Sequence, residues 1–226
     1  IVLAPKLGLV RASLFFGLLN ALVAAWTTWV FRRQLPQVLF MRSQCLAVIL
    51  ALLLGLVYAD PITTLSEENL YSDEIIFATS SPYQRIVLTR WKDDLRLFLN
   101  GHLQFSSRDE YRYHEALVHP GLQFLQAPKH VLVLGGGDGL AIREILKYDC
   151  VEQILLVDLD PEMTRLFTQN PLLRKLNQDS FHSPKVKVIN ADAFIWLDGS
   201  DEMFDFAVID FPDPTSHSLG KLYTTA

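Results

Sequence analysis

Val131-Leu132-Val133-Leu134 runs directly into Gly135-Gly136-Gly137-Asp138-Gly139, and then into Ile142, Ile145 and Leu146 at helical spacing. A strand with no polar position is buried on both faces, as in a parallel sheet covered by helices. The glycines permit a tight turn and close approach of a ligand, and the following helix presents its first amides there. The pattern recurs downstream. Ile154–Val157 ends in Asp158-Leu159-Asp160, and Pro161 is placed to open a helix. Val186–Ile189 ends in Asn190-Ala191-Asp192, and Phe204–Ile209 ends in Asp210. Four apolar strands alternating with helical segments predict a Rossmann-like, doubly wound parallel α/β sheet.

Each of the four predicted strands is followed by an acid: Asp138, Asp158, Asp192 and Asp210. One aspartate after a strand is commonly a cap on the next helix, as Asp160 is expected to be. Four delivered to the carboxyl rim of one sheet, where open α/β sheets bind ligands, favour a shared site. Asp158 lies 19 residues after Gly139, close to the spacing at which an acid meets ribose hydroxyls. A glycine loop alone would also suit a nicotinamide enzyme. Asp138 inside the loop, however, would repel a pyrophosphate and attract a cation, which favours a positively charged adenosyl sulfonium cofactor.

Charge separates the 226 residues into two parts. Five basic residues and one acid give residues 1–60 a net +4, leaving 15 basic against 24 acidic residues, or −9, in 61–226. The acidic part argues against nucleic acid, whose phosphates need a basic face, and suits a cationic ligand. Two cysteines, Cys45 and Cys150, supply neither a disulfide framework nor a Cys-rich zinc site. His102, His119, His130, His182 and His217 have no metal-like spacing, so no metal is expected. The opening on Ile1 and the close at Thr225-Ala226 lead us to expect a fragment.

Ala12–Phe31 is a run of 20 uncharged residues with Trp26 and Trp29 near its end, and Ser43–Ala59 is a second, leucine-rich run of 17. A hydrocarbon core of roughly 30 Å needs about 20 such residues as helix, and tryptophan suits the interface. Two transmembrane helices, about 12–31 and 43–59, are therefore expected, in contact with membrane lipid. A buried hairpin and a secretory signal are the alternatives. The loop between carries Arg32, Arg33 and Arg42, which by the positive-inside rule would be cytoplasmic, placing everything after Ala59 outside.

Residues 61–73 form a polar linker, and 74–108 a small antiparallel β region. Its expected strands are Glu74–Thr79, Gln84–Trp91 and Leu95–Asn100, with turns at Asp93-Asp94 and Asn100-Gly101. A helix from Asp109 to about Leu125 opens the α/β domain, 109–226, with acids in its first turn. Tyr83, Phe98 and Leu99 are expected in the core.

Five segments then stand in the order found in spermidine synthases: Tyr83-Gln84-Arg85-Ile86, Leu97-Phe98-Leu99-Asn100-Gly101, Asp109-Glu110-Tyr111-Arg112-Tyr113-His114-Glu115, Gly135–Gly139, and Asp210-Phe211-Pro212-Asp213-Pro214. The likeness covers roughly Leu70 to Tyr223, and the membrane runs resemble the branch of this family with multi-pass helices ahead of the catalytic domain. The resemblance implies transfer of an aminopropyl group from decarboxylated S-adenosylmethionine to a polyamine, usually putrescine.

By that resemblance, Asp138 would bind the aminopropyl ammonium, Asp158 the ribose hydroxyls and Asp192 the adenine amino group. Gln84, Gly135, Gly137, Gly139 and Ala193 would line the same cofactor pocket. Asp210 would be the catalytic base, and Tyr113, His114, Asp138 and Asp213 would meet the acceptor. Taken alone, Tyr113 and His114 also fit packing or capping of a helix. Phe211-Pro212 and Ala193 depart from the family pattern, which commonly has a small polar pair and a glycine there. A methyltransferase and a non-catalytic polyamine-binding membrane protein are the rival readings, and a homo-oligomer is compatible with either. The co-substrate implies a cytoplasmic catalytic domain on a multi-pass cell-membrane protein, against the charge rule.

Overall fold

The computed structural model describes residues 9–59, 71–212 and 220. Most of the expected linker, and the acceptor residue Asp213, lie outside the described residues. The chain divides into two compact units, one up to Ile75 and one from Ile76 onward.

In the first unit, α1 (Leu9–Val30) and α2 (Val38–Val57) form a helical hairpin. They pack across small residues: a Cβ on Gly17 would lie 3.4 Å from Leu52, and one on Gly55 3.3 Å from Leu14. No side chain of α2 is buried, and leucine, valine and tryptophan face outward, Trp26 being 66% exposed. The hydroxyls of Thr27, Thr28 and Ser43 donate to carbonyls of their own helices at 2.8 Å, so each finds a partner without water. The helix expected from Ser43 begins five residues earlier and takes in Arg42. An uncharged run stops at arginine, whereas arginine is a good helix former.

The second unit joins two sheets. Strands β1 (Glu74–Ser80), β2 (Arg85–Trp91), β3 (Asp94–Leu99) and β4 (His102–Ser106) lie in the order β1-β2-β3-β4. The β3–β4 turn is the expected Asn100-Gly101, with φ of 52° and 83°. Both are positive, as a two-residue type I′ turn requires. The β2–β3 turn falls on Lys92-Asp93, one residue before the expected Asp93-Asp94, and Lys92 takes the positive φ. Asp94 is instead buried in β3, where it accepts from Ser106, Ser107 and Arg96. Strand β4 was not anticipated.

The segment α3 (Glu110–Leu122) leads into β5 (His130–Gly135), α4 (Leu140–Ile145), β6 (Gln153–Asp158), α5 (Pro161–Gln169) and α6 (Pro171–Leu176). A single 3₁₀ turn precedes β7 (Val186–Asn190), α7 (Ala193–Asp198) and β8 (Phe206–Asp210). The second sheet is parallel in the order β7-β6-β5-β8. Its first strand therefore lies between its second and its fourth, and the crevice between β5 and β8 is the topological switch point of a doubly wound sheet.

Alternate residues of β5 enter opposite cores. Val131 and Val133 join Ile142, Ile145, Ile154 and Leu156 with Val118 and Leu122 of α3, while Leu132 and Leu134 join Leu155, Val157 and Ala193. Burial of each such aliphatic side chain contributes about 1.5–3 kcal/mol, which is why the run admits no polar residue. A third cluster packs Ile86, Leu88, Leu97 and Phe105 of the antiparallel sheet on Leu140, Met163, Phe167 and Leu173. The small sheet thus shares a core with the α/β helices.

Candidate active site

Strand register brings the acids to one rim. Gly135 pairs with Asp210, and Leu134 pairs with Val157, one residue before Asp158, so β5, β6 and β8 end at the same level. Between them and the antiparallel sheet lies a cavity of about 830 Å³. Its wall includes Gln84, Tyr113, His114, Gly135, Gly137, Asp138, Asp158, Asp192, Ala193 and Asp210. The structure therefore gathers every described candidate except Gly139, which stands behind the loop against Ser180 and Phe181. Tyr83, expected in the core, is instead 52% exposed and on the cavity wall. Phe211 and Pro212 also line the wall.

Three aspartates hold the segments around them. Asp158 accepts from the Gly137 amide at 3.0 Å and the Asp160 amide at 2.8 Å, tying the glycine loop to the end of β6. A Cβ on Gly137 would sit 2.8 Å from the Asp158 carboxylate, so a side chain there would break this contact. Asp192 caps α7 by accepting from Phe194 and Ile195, as a lone aspartate after a strand commonly does. Asp160 caps α5 as expected, and it does more. Its second oxygen accepts from Ser81 at 2.7 Å and Gln84 at 2.9 Å, anchoring the β1–β2 turn to the cavity.

The remaining acids cluster around an aromatic pair on α3. Tyr113 donates its hydroxyl to Asp210 at 2.7 Å, and its ring meets His114 edge-on at 5.0 Å. One ring nitrogen of His114 and carboxylate oxygens of Asp138 and Asp210 lie within 4.8 Å of one another, room for a metal ion or an ammonium group. A second such cluster, Glu115, His119 and Glu144, lies off the cavity, and both nitrogens of His119 are engaged by Tyr148 and Glu144. His114 is 3% exposed, and its Nδ1 meets the Glu110 carbonyl at 2.8 Å and the Glu110 carboxylate at 2.9 Å.

Crowding shows in the protonation equilibria. Burial pushes Asp138 up to about 6, with Asp210 and Asp158 adding to the shift and His114 opposing it. Burial likewise pushes Asp158 up to about 6. Asp210 is also raised by burial, against the Tyr113 hydroxyl and His114. Burial would lower His114, but the Glu110 hydrogen bond and the charges of Asp138 and Asp210 outweigh it, so its proton affinity is raised. Among the described residues, the charge that opposes the rise at both Asp138 and Asp210 is that of His114.

Beneath them lies a network that the sequence did not suggest. Arg143 of α4 binds Glu110 through both terminal nitrogens, at 2.7 and 3.0 Å, and Glu144 through Nε at 2.8 Å. All three side chains are buried. No motif flags Arg143, and only the apolar helical spacing around it places it inside.

Fold and site together define a Rossmann-like α/β domain with an acidic cavity at its switch point. Residues 110–225 match the model of the spermine/spermidine synthase domain. The polyamine aminopropyltransferase of Leptospira interrogans is 58% identical over 226 residues, covering 100% of this chain and 45% of that protein. Polyamine aminopropyltransferase 2 of Ralstonia nicotianae is 56% identical over 228 residues, with 99% and 45% covered. The crystal structure of a spermidine synthase in complex with the transition state analogue AdoDATO aligns at TM-score 0.62 and 30% identity, over 67% of this chain and 51% of that one. The chain belongs to the spermine/spermidine synthase domain family. It spans under half the length of the two curated relatives.

Proposed function

We propose that the protein containing this chain transfers an aminopropyl group from decarboxylated S-adenosylmethionine to a polyamine such as putrescine, giving spermidine and methylthioadenosine. The observation that carries this reading is the convergence of Asp138 and Asp210, with Tyr113 and His114, on one cavity at the β5/β8 switch point. A site crowded with carboxylates raised toward neutrality selects cations, and both substrates are cations.

Asp138 is assigned to the aminopropyl ammonium and Asp158 to the ribose hydroxyls. Asp192, Gln84, Gly135, Gly137 and Ala193 complete the co-substrate wall. Tyr113 and His114 receive the acceptor, with Asp213 as a further acceptor residue. Asp210 takes a proton from the acceptor ammonium. The freed nitrogen lone pair attacks the propyl carbon bonded to sulfur. The carbon–sulfur bond breaks, and its electron pair stays on sulfur as a neutral thioether. The sulfonium is already an activated leaving group, so alignment of amine, carbon and sulfur supplies much of the acceleration.

We also infer that α1 and α2 span a membrane, with the catalytic part cytoplasmic. Their lengths of 22 and 20 residues give about 30 Å of helix, and their outward apolar side chains support lipid as the solvent. A reporter fused after Ala59 tests this: a reporter active only in the cytoplasm is expected, and one active only on the far side of the membrane would overturn the orientation.

Product analysis of the full-length protein with putrescine tests the chemistry. Methylthioadenosine should form from the decarboxylated co-substrate and not from S-adenosylmethionine, whose carboxylate Asp138 would repel. Methyl transfer would establish the methyltransferase, and binding without methylthioadenosine release the non-catalytic binder. Asp210→Asn should bind co-substrate while losing turnover.

A further inference from the structure

The buried ion pair behind His114 has no part in the transfer steps above, yet it is built with unusual completeness. Glu110 and Arg143 form a two-point bridge at 2.7 and 3.0 Å. Arg143 is held further by Glu144 at 2.8 Å and the Leu176 carbonyl at 2.9 Å. A bridge this well satisfied fixes the Glu110 carboxylate rigidly. One of its oxygens faces Nδ1 of His114 one turn along α3. Because Nδ1 is committed to Glu110, the nitrogen left to serve the cavity is Nε2, and the group it serves is the Asp138–Asp210 pair.

The charged groups around the imidazole are therefore Glu110 on its own helix, Asp138 after β5 and Asp210 after β8, with Arg143 of α4 acting on it through Glu110. Three carboxylates face one imidazole, and among the described residues only Glu110 is neutralised by arginine.

We propose that Glu110, clamped by Arg143, is a positioning residue that makes His114 the resident cation of the empty site, a cation that gives its proton to solvent when the cationic substrates enter. This rests on the aminopropyl-transfer reading and deepens it. In the empty cavity the imidazolium balances Asp138 and Asp210. Once an ammonium lies against those carboxylates, a second cation beside it is repelled. His114 releases its Nε2 proton, and the neutral nitrogen accepts a hydrogen bond from the acceptor. The proton balance is one released by His114 in addition to those released in the transfer. Glu110 thus sets the pH at which the acceptor competes for the site, without touching it. The raised proton affinity of His114 agrees with this arrangement.

The test uses the full-length protein in detergent. In protein labelled with ¹⁵N-histidine, His114 is expected to be doubly protonated near pH 7 when free, and neutral with methylthioadenosine and putrescine bound. The same charge state in both conditions would overturn the proposal. Glu110→Gln keeps the side-chain shape and the backbone acceptor for Nδ1, and removes the charge. The acid limb of kcat/KM for the acceptor should then move down by about one pH unit, with co-substrate affinity unchanged. Arg143→Lys leaves Glu110 charged and less neutralised, and should move the limb the opposite way. Lower melting temperatures with unmoved pH profiles would reduce the pair to structural cement. Should Glu110→Gln fail to fold, the wild-type ¹⁵N titration decides alone. If the wild type forms no methylthioadenosine, aminopropyl transfer is refuted, while the free-state titration still reports on the Glu110–His114 contact.

Discussion

Replacing Asp138 by asparagine should make the empty protein more stable and the loaded protein worse. Burial holds the Asp138 carboxyl at about 6, from an ordinary value of 3.8. An elevated folded pKa means that above it the folded state carries a charge it resists, whereas the unfolded chain ionises freely. Below about pH 4 both states are protonated and the penalty vanishes. It grows as pH rises from 4 to 6 and is constant above. About two pH units at 1.36 kcal/mol each give nearly 3 kcal/mol. Asp138 keeps some contact with the cavity, so screening leaves about 2 kcal/mol. Asparagine can still accept from the Leu140 amide, which meets the Asp138 side chain at 2.9 Å. The melting temperature of Asp138→Asn should exceed that of the wild type by about 4–8 °C at pH 8 and match it at pH 4. Affinity for the decarboxylated co-substrate should fall by about 10- to 100-fold, the loss of one charge-assisted hydrogen bond. Thermal scans from pH 4 to 8 and calorimetry with the co-substrate check both halves. A variant less stable at pH 8, or a gain independent of pH, would refute the reasoning.

Three further outcomes follow from single contacts. Tyr113→Phe removes the hydroxyl that lowers the Asp210 proton affinity, so the acid limb of kcat should move to higher pH and turnover at pH 7 should drop by about 10-fold; an unmoved limb would dissociate Asp210 from the base role. Gly137→Ala puts a Cβ against the Asp158 carboxylate, and co-substrate Kd, read by equilibrium dialysis, should rise more than about 10-fold. Gly101→Ala meets no neighbour but keeps a φ of 83°, so a loss of about 1 kcal/mol and no change in KM is expected, checked by denaturant titration alongside kinetics.

The legible parts of the fold were those in which one local rule sufficed. The β5 run admits no polar residue because both of its faces meet core, and Asn100-Gly101 forms its turn because both positions need positive φ. Strand β4 escaped because its five residues are mostly exposed, with only Phe105 buried, and its pairing with β3 passes through a register shift at Leu97/Phe98. Strand order was equally hidden. That β8 lies beside β5 follows from how the crossovers pack, and no local pattern states it.

Asp158, Asp192 and Asp160 show why residue type alone under-determines a site. Each is read for one task, and each bonds backbone amides: Asp158 to the glycine loop, Asp192 and Asp160 to helix starts. A carboxylate has two oxygens and accepts several hydrogen bonds, so holding a loop and facing a ligand are compatible. Asp138 and Asp210 differ in that, among the described residues, each carboxylate accepts from a single donor, the Leu140 amide and the Tyr113 hydroxyl, and both face His114. The two aspartates left short of donors are the ones assigned to the reacting ammonium groups. That shared approach to His114 separates them from the scaffold acids, and it arises only when β5 and β8 meet. The sequence places an acid after each of the four parallel strands; the switch point selects the two that meet His114.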